Sequence, residues 1–503
     1  MRMRSLVLVL GIVLATIAVQ AQATGKKYQG AKPKYVFYFI GDGMGLSQAS
    51  VAEAYLGALE GKGEIKKLNY SQLPHQGFFT TYALNRFITG SAAAGTALAT
   101  GHKTTINTIS MDGAKQKPLT TVAEMARDRG FKVGIVSSVS IDHATPAAFY
   151  AHQPTRNMYY EISLDLSKSG FDYFGGGGFK KPDGDGKLDD KNSMANFGMD
   201  DEKELKDKEK NSKLVAKERG YRFVFSRTDF DNLKKGDKKI IAIAPELAGG
   251  KSLPYAIDQK PGENISLAEF TQKGIGLLNN TEGFFMMVEG GKIDWACHAN
   301  DAATVIQEVV QFDNAVGVAM DFYRKHPEET LIIVAADHET GGMALGFSGK
   351  HYESEFALLQ HQNVSYEAFT EKVKKYKKKH KGDYKKKDGL ALVKKHFGLG
   401  DKSKGLELTA FEQKQLEKAF EKSIAYDKKM KSKDQFYQLY GSYDPLTVTA
   451  CHILCQKAGI GWTSYSHTAT PIPVRAIGVG GELFSGYMDN TDVAKRLIGL
   501  VKK

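Results

Sequence analysis

Short apolar runs with no polar alternation recur along the 503-residue chain: YVFYFI at 35–40, KVGIVSS at 132–138, FFMMVE at 284–289, LIIVAA at 331–336 and VRAIGVG at 474–480. Runs of this length, rich in β-branched and aromatic residues, predict strands buried on both faces. Helical patterns separate them at 48–60, 91–100, 120–129, 266–280 and 302–325. Strands alternating with helices predict an α/β sheet protein. Two regions break the rhythm. Residues 180–213 are polar and charged, and residues 350–460 are Lys-rich and helical in pattern, with Thr409 and Glu412 spaced as a capping box. DGDGKLDD in the first region has a calcium-loop look, but Lys187 stands where a third ligand would be needed, so a solvated loop is expected.

The amino terminus reads differently. Arg2 and Arg4 precede SLVLVLGIVLATIAV, and small residues follow at Ala21 and Ala23. That layout predicts a cleaved signal peptide over residues 1–23, leaving residues 24–503 as one domain with 350–460 inserted in it. No other run is apolar and long enough to span a bilayer, so an exported protein, periplasmic or extracellular, is expected. Three cysteines, Cys297, Cys451 and Cys455, are too few and too odd in number for a disulfide framework. The formal charge of +12 falls by two once Arg2 and Arg4 leave, and the remaining excess gathers at 371–398. This cluster reads as a solvated helical face, or as a surface attracting anionic substrates or envelope polymers. No nucleic-acid module pattern accompanies it.

The chemistry gathers just past the strand ends. The first strand runs into Gly41-Asp42-Gly43, the second leads to His143 and Thr145, the third ends in Glu289 ahead of Asp294, and the fourth ends in Asp337-His338. One Asp after a strand is ordinarily a turn former. Four strands delivering carboxylates and imidazoles to their carboxyl ends point instead to a shared crevice. Asp294 and His298 are one helical turn apart and can face one side. Carboxylate–imidazole sets suit zinc, and carboxylates with a threonine hydroxyl suit magnesium.

Ser91 opens the small-residue run SAAAGTALAT. It is either an ordinary N-cap or a hydroxyl facing the positive end of a helix dipole, where an alkoxide or a phosphate is favoured. Phosphate monoesters are hydrolysed up to ~10²¹-fold faster by enzymes than without them, and paired metal ions with an arginine fork suit that task. Arg156 supplies such a fork.

With these residues in view the chain resembles the alkaline phosphatase family of metal-dependent phosphomonoesterases. The resemblance rests on GDGMG, TGSAAAGTALATG, DHATPAAFYAHQPTR, VEGGKIDWACHAND, VAADHETGG and, more weakly, SHTA at 466–469. It implies a three-layer α/β/α sandwich around a large mixed, mostly parallel sheet. It implies a phosphorylated Ser91, and a first zinc held by Asp294, His298 and His467. A second zinc would lie on Asp42, Ser91, Asp337 and His338. A third ion, usually magnesium, would lie on Asp42, Thr145 and Glu289. Arg156 would bind phosphate oxygens, with Trp295 and His143 beside it, and a homodimer acting on small phosphate monoesters is implied.

Three departures from the family pattern stand out. Gly90 replaces an Asp often found before the nucleophile, which would orient Arg156. His143 weakens the expected magnesium preference of the third site, where zinc or cobalt could substitute, and Trp295 brings no charge to phosphate. The stretch between His338 and His467 is long. The competing readings are a phosphodiesterase or sulfatase of the same superfamily, and a non-catalytic surface protein that binds phosphate or polyanions.

Overall fold

β1 (Tyr35–Ile40) lies at the middle of a ten-stranded sheet, and every one of its residues is buried. The computed structural model describes residues 30–61, 63–184, 211–260, 262–425 and 434–502. The expected signal peptide and most of the DGDGKLDD loop lie outside the described residues.

The remaining strands are β2 (His75–Thr80), β3 (Lys132–Ser137), β4 (Tyr173–Gly176), β5 (Arg222–Val224), β6 (Ile240–Ile243), β7 (Phe284–Glu289), β8 (Thr330–Ala335), β9 (Glu339–Thr340), β10 (His467–Thr468), β11 (Ile472–Gly478) and β12 (Gly486–Asp489). The large sheet runs β12-β2-β11-β8-β1-β7-β3-β4-β6-β5, and β9 pairs with β10 in a small ribbon. All neighbours in the large sheet are parallel except β11, which is antiparallel to both β8 and β2. The mixed, mostly parallel sheet expected from the sequence is therefore present.

Strand alternation assigns the two faces. Phe37 and Phe39 meet Phe322 and Phe312 of helix Ala302–Tyr323, whereas Tyr38 and Phe285 meet Phe149 on the other side. Helices Leu46–Leu59 and Leu267–Leu278 pack with Ala302–Tyr323. Helices Ser91–Thr100, Val122–Arg129 and Asn490–Val501 pack with one another. With both faces covered, the uninterrupted apolar runs are accounted for.

The register sets the level of the strand ends. Ile40 pairs with Glu289 and with Ala335, and Glu289 pairs with Ser137. Four parallel strands thus finish at one edge. Because β11 runs the other way, its amino-terminal approach, carrying His467, arrives at that same edge.

The 350–460 stretch is helical as expected, through Tyr366–His380, Lys386–Phe397, Ala410–Ile424, Asp434–Tyr440 and Pro445–Ala458. The Thr409–Glu412 capping box is formed. The lysines of the first two helices stay at the surface while Phe369, Val373, Val393 and Phe397 are buried.

Candidate active site

Asp42 follows β1 at a turn where Gly43 has φ +70°, and a Cβ at Gly43 would lie 2.8 Å from Thr340 Oγ1 and 2.9 Å from Asp294 Cα. Only glycine fits both the left-handed backbone and that approach. The Gly43 amide donates to Asp337 Oδ1 at 3.1 Å, tying the ends of β1 and β8 together. Asp337 Oδ1 also accepts from the His338 amide at 2.9 Å, and its Oδ2 lies 3.2 Å from His338 Nε2.

Ser91 is not an N-cap. Gly90 takes that position with extended backbone, and Ser91 is the first helical residue. The first intrahelical bond runs from the Ala94 amide to the Gly90 carbonyl, so the Ser91, Ala92 and Ala93 amides have no partner within the helix. Ser91 is only 2% exposed, and its Oγ lies 3.4 Å from His338 Nε2.

Helix Lys292–His298 carries Asp294 and His298 on one face, as their spacing predicts, with Asp294 Oδ2 3.3 Å from His298 Nε2. His467 Nε2 lies 3.1 Å from His298 Nε2 and 3.6 Å from Asp294 Oδ1. Each imidazole is anchored by its other nitrogen. His298 Nδ1–H donates to the Tyr465 carbonyl at 2.6 Å, and His467 Nδ1–H donates to the Thr89 carbonyl at 2.8 Å. Both Nε2 atoms therefore face each other and Asp294, an arrangement that a cation between them satisfies. Without a metal, Asp294 is drawn well below the usual carboxylate range by His298 and His467, against the effect of its burial. His298 is raised to about 9 by Asp294, also against burial.

Two further donor sets share Asp42. One joins it to Asp337 and His338, the other to His143 and Glu289, and within each set the donor atoms lie within 4.8 Å of one another. Thr145 donates to Asp42 Oδ2 at 3.3 Å, and Ser137 donates to Glu289. Asp42 Oδ1, Asp337 Oδ2 and Glu289 Oε1 are buried and accept no hydrogen bond. Burial, reinforced by neighbouring carboxylates, pushes Asp42 far up, Glu289 to about 8 and Asp337 to about 7. Orphaned carboxylate oxygens that resist ionisation together are what a bound cation would relieve. The donor chemistry fits divalent ions.

Arg156 Nη2 donates to His143 Nε2 at 2.8 Å. Trp295 meets His143 edge-on, with ring centroids 5.7 Å apart, and packs over Gly250. Every residue singled out from the sequence thus reaches one rim of the sheet. Others were not singled out. Thr340 donates to Asp294 Oδ1 at 2.6 Å and stands 3.3 Å from His338 Nδ1, and Ser137 supports Glu289. Their sequence signal was proximity to a ligand-bearing strand end. The Thr89 and Tyr465 carbonyls have no side-chain signal at all.

Residues 33–502 match the model of the alkaline phosphatase family. The chain belongs to the alkaline phosphatase family. It is 31% identical over 506 residues to alkaline phosphatase 3 of Bacillus subtilis (strain 168), spanning 96% of this chain and 95% of that relative. It is 30% identical over 489 residues to alkaline phosphatase 4 of the same organism, spanning 96% and 91%. A cold-active alkaline phosphatase from the psychrophile Shewanella sp. superposes with a TM-score of 0.73 at 29% identity, covering 93% of this chain and all of that one. Alkaline phosphatases are phosphomonoester hydrolases, and the sandwich expected from the sequence is the fold of the family. Among the described residues no helix is long and apolar enough to cross a membrane.

Proposed function

We propose that this chain is an exported, homodimeric alkaline phosphatase that transfers the phosphoryl group of small monoesters to Ser91 and then to water. Asp294, His298 and His467 would hold one zinc ion, and Asp42, Asp337 and His338 a second beside Ser91. Asp42, Thr145 and Glu289 would hold a third ion, magnesium, with zinc or cobalt as substitutes because His143 stands beside it. When bound, such ions polarise the phosphoryl oxygens and neutralise developing charge.

The observation that carries the reading is the setting of Ser91. Its hydroxyl sits at a helix amino terminus, 3.4 Å from the imidazole of one donor set, on an almost fully buried residue. Unpaired first-turn amides favour negative charge on that oxygen and on an incoming phosphate. Arg156, already held by His143, supplies a planar fork for the non-bridging oxygens. Burial of the site excludes bulk water and strengthens each of these interactions.

The test is Ser91→Ala. Turnover of p-nitrophenyl phosphate should fall by on the order of 10³-fold or more, with zinc content unchanged. Acid quenching with labelled substrate should trap phosphate on the parent and not on the variant. Equal turnover in parent and variant would remove Ser91 from the reaction.

A further inference from the structure

The loop that leads into His467 makes no helix or strand of its own before that residue. Residues 463–466 are small or polar and adopt no regular structure. Ordering such a segment costs about 1–2 kcal/mol per residue in backbone entropy alone. Yet this loop sets two imidazoles: it delivers His467, and its Tyr465 carbonyl accepts from His298 Nδ1 at 2.6 Å.

The loop's backbone is tied to Gly341, whose carbonyl accepts from the Thr463 and Ser464 amides at 3.1 and 3.0 Å and whose amide donates to the Ser466 carbonyl at 2.9 Å, but its side chains are held from the Lys-rich insertion. The Tyr465 hydroxyl donates to the Leu439 carbonyl at 2.8 Å. The Tyr465 ring stacks on His452, with centroids 5.8 Å apart, and meets Tyr437 edge-on at 6.2 Å. The hydroxyls of Tyr437 and Ser466 share a hydrogen bond of 3.0 Å, next to His467 in sequence. Leu439 and Tyr437 lie on helix Asp434–Tyr440, and His452 on helix Pro445–Ala458. Asn300 closes the circuit: its Oδ1 lies 3.0 Å from His452 Nε2, and its Nδ2 donates to the Ser464 carbonyl at 3.0 Å and to the Cys297 carbonyl at 2.9 Å.

We infer that the carboxyl-terminal helices of the 350–460 insertion are a positioning device for the first donor set, acting through Tyr437 and Tyr465 on the loop between Thr463 and His467. The inference rests on reading Asp294, His298 and His467 as a metal site. Tyr437 and Tyr465 themselves touch neither metal nor substrate. They fix the rotation of His298 and the approach of His467, as outer partners of metal-bound histidines do.

The experiment uses Tyr437→Phe, Tyr465→Phe and the double variant, which remove hydroxyls and keep the rings. Zinc is counted after dialysis against graded chelator, kcat and KM are measured with and without added zinc, and the melting temperature of the chelated protein is recorded. The double variant should release one zinc equivalent at about tenfold lower chelator than the parent. Its kcat should fall and return on adding zinc, while the chelated protein melts as the parent does. Zinc retention identical to the parent overturns the inference. So does a loss of kcat that zinc fails to restore, accompanied by lower melting of the chelated protein, because that pattern is a general structural defect. A parent that binds no zinc overturns the metal-site reading and this inference with it, whereas a zinc-binding parent matched by its variants overturns this inference alone.

Discussion

Arg156 is tethered to His143, its Nη2 donating to the imidazole Nε2 at 2.8 Å. Burial, together with Arg156 and Lys180, holds His143 well below the ordinary histidine range, so the ring is neutral and its single lone pair is the acceptor. Its other nitrogen, Nδ1, then carries the proton, and it has no hydrogen-bond partner. The imidazole therefore orients the arginine. A cation at the neighbouring site would compete with Arg156 for that one lone pair.

His143→Ala should free the guanidinium. Losing one hydrogen bond of about 1 kcal/mol corresponds to roughly fivefold weaker inhibition by inorganic phosphate. Zinc bound to Asp294, His298 and His467 should not change. An inhibition constant for phosphate equal to the parent's would show that Arg156 is held by something else.

Thr340 bridges two donor sets, donating to Asp294 Oδ1 and standing 3.3 Å from His338 Nδ1. Thr340→Val keeps the shape and removes the hydroxyl. Metal affinity measured by chelator competition should drop by about tenfold, and Thr340→Ser should restore it. A valine variant with the parent's affinity would show that the bridge is incidental.

The metal-free protein should lose stability as pH rises from about 6.5 to 8. Folding raises Glu289 to about 8, Asp337 to about 7 and His298 to about 9. In that window the folded chain holds protons that the unfolded chain has released, so stability falls with pH. Metal ions displace those protons, so the gain in melting temperature on adding zinc should be larger at pH 8 than at pH 6.5. Glu289→Gln should flatten part of the slope in the chelated protein. A chelated parent that melts higher at pH 8 than at pH 6.5 would contradict the sign.

Much of this site could be read from the chain because parallel strands concentrate chemistry where they end. Asp42, Glu289 and Asp337 each follow an unbroken apolar run, and Asp294 and His298 declare themselves by one helical turn. β2 was not legible, because only Gly77 and Phe79 of its six residues are buried and polar residues interrupt it. The short strands β4, β5 and β6 carry too few residues for a pattern, and β12 is a largely exposed edge. His467 had only weak local signal, since its place depends on β11 running against its neighbours. Ser91 was legible as a helix start but not as the residue after the cap, a distinction made by the extended backbone of Gly90.

The reversed direction of β11 has a consequence for the stretch between His338 and His467. The chain leaves β8 at the rim and must come back to that rim before entering β11, whatever it does in between. Segments of any length can be accommodated there without altering a single strand pairing. Whatever is placed there begins and finishes beside the metal-binding side chains, so growth at this point adds walls to the mouth of the site and leaves its floor intact.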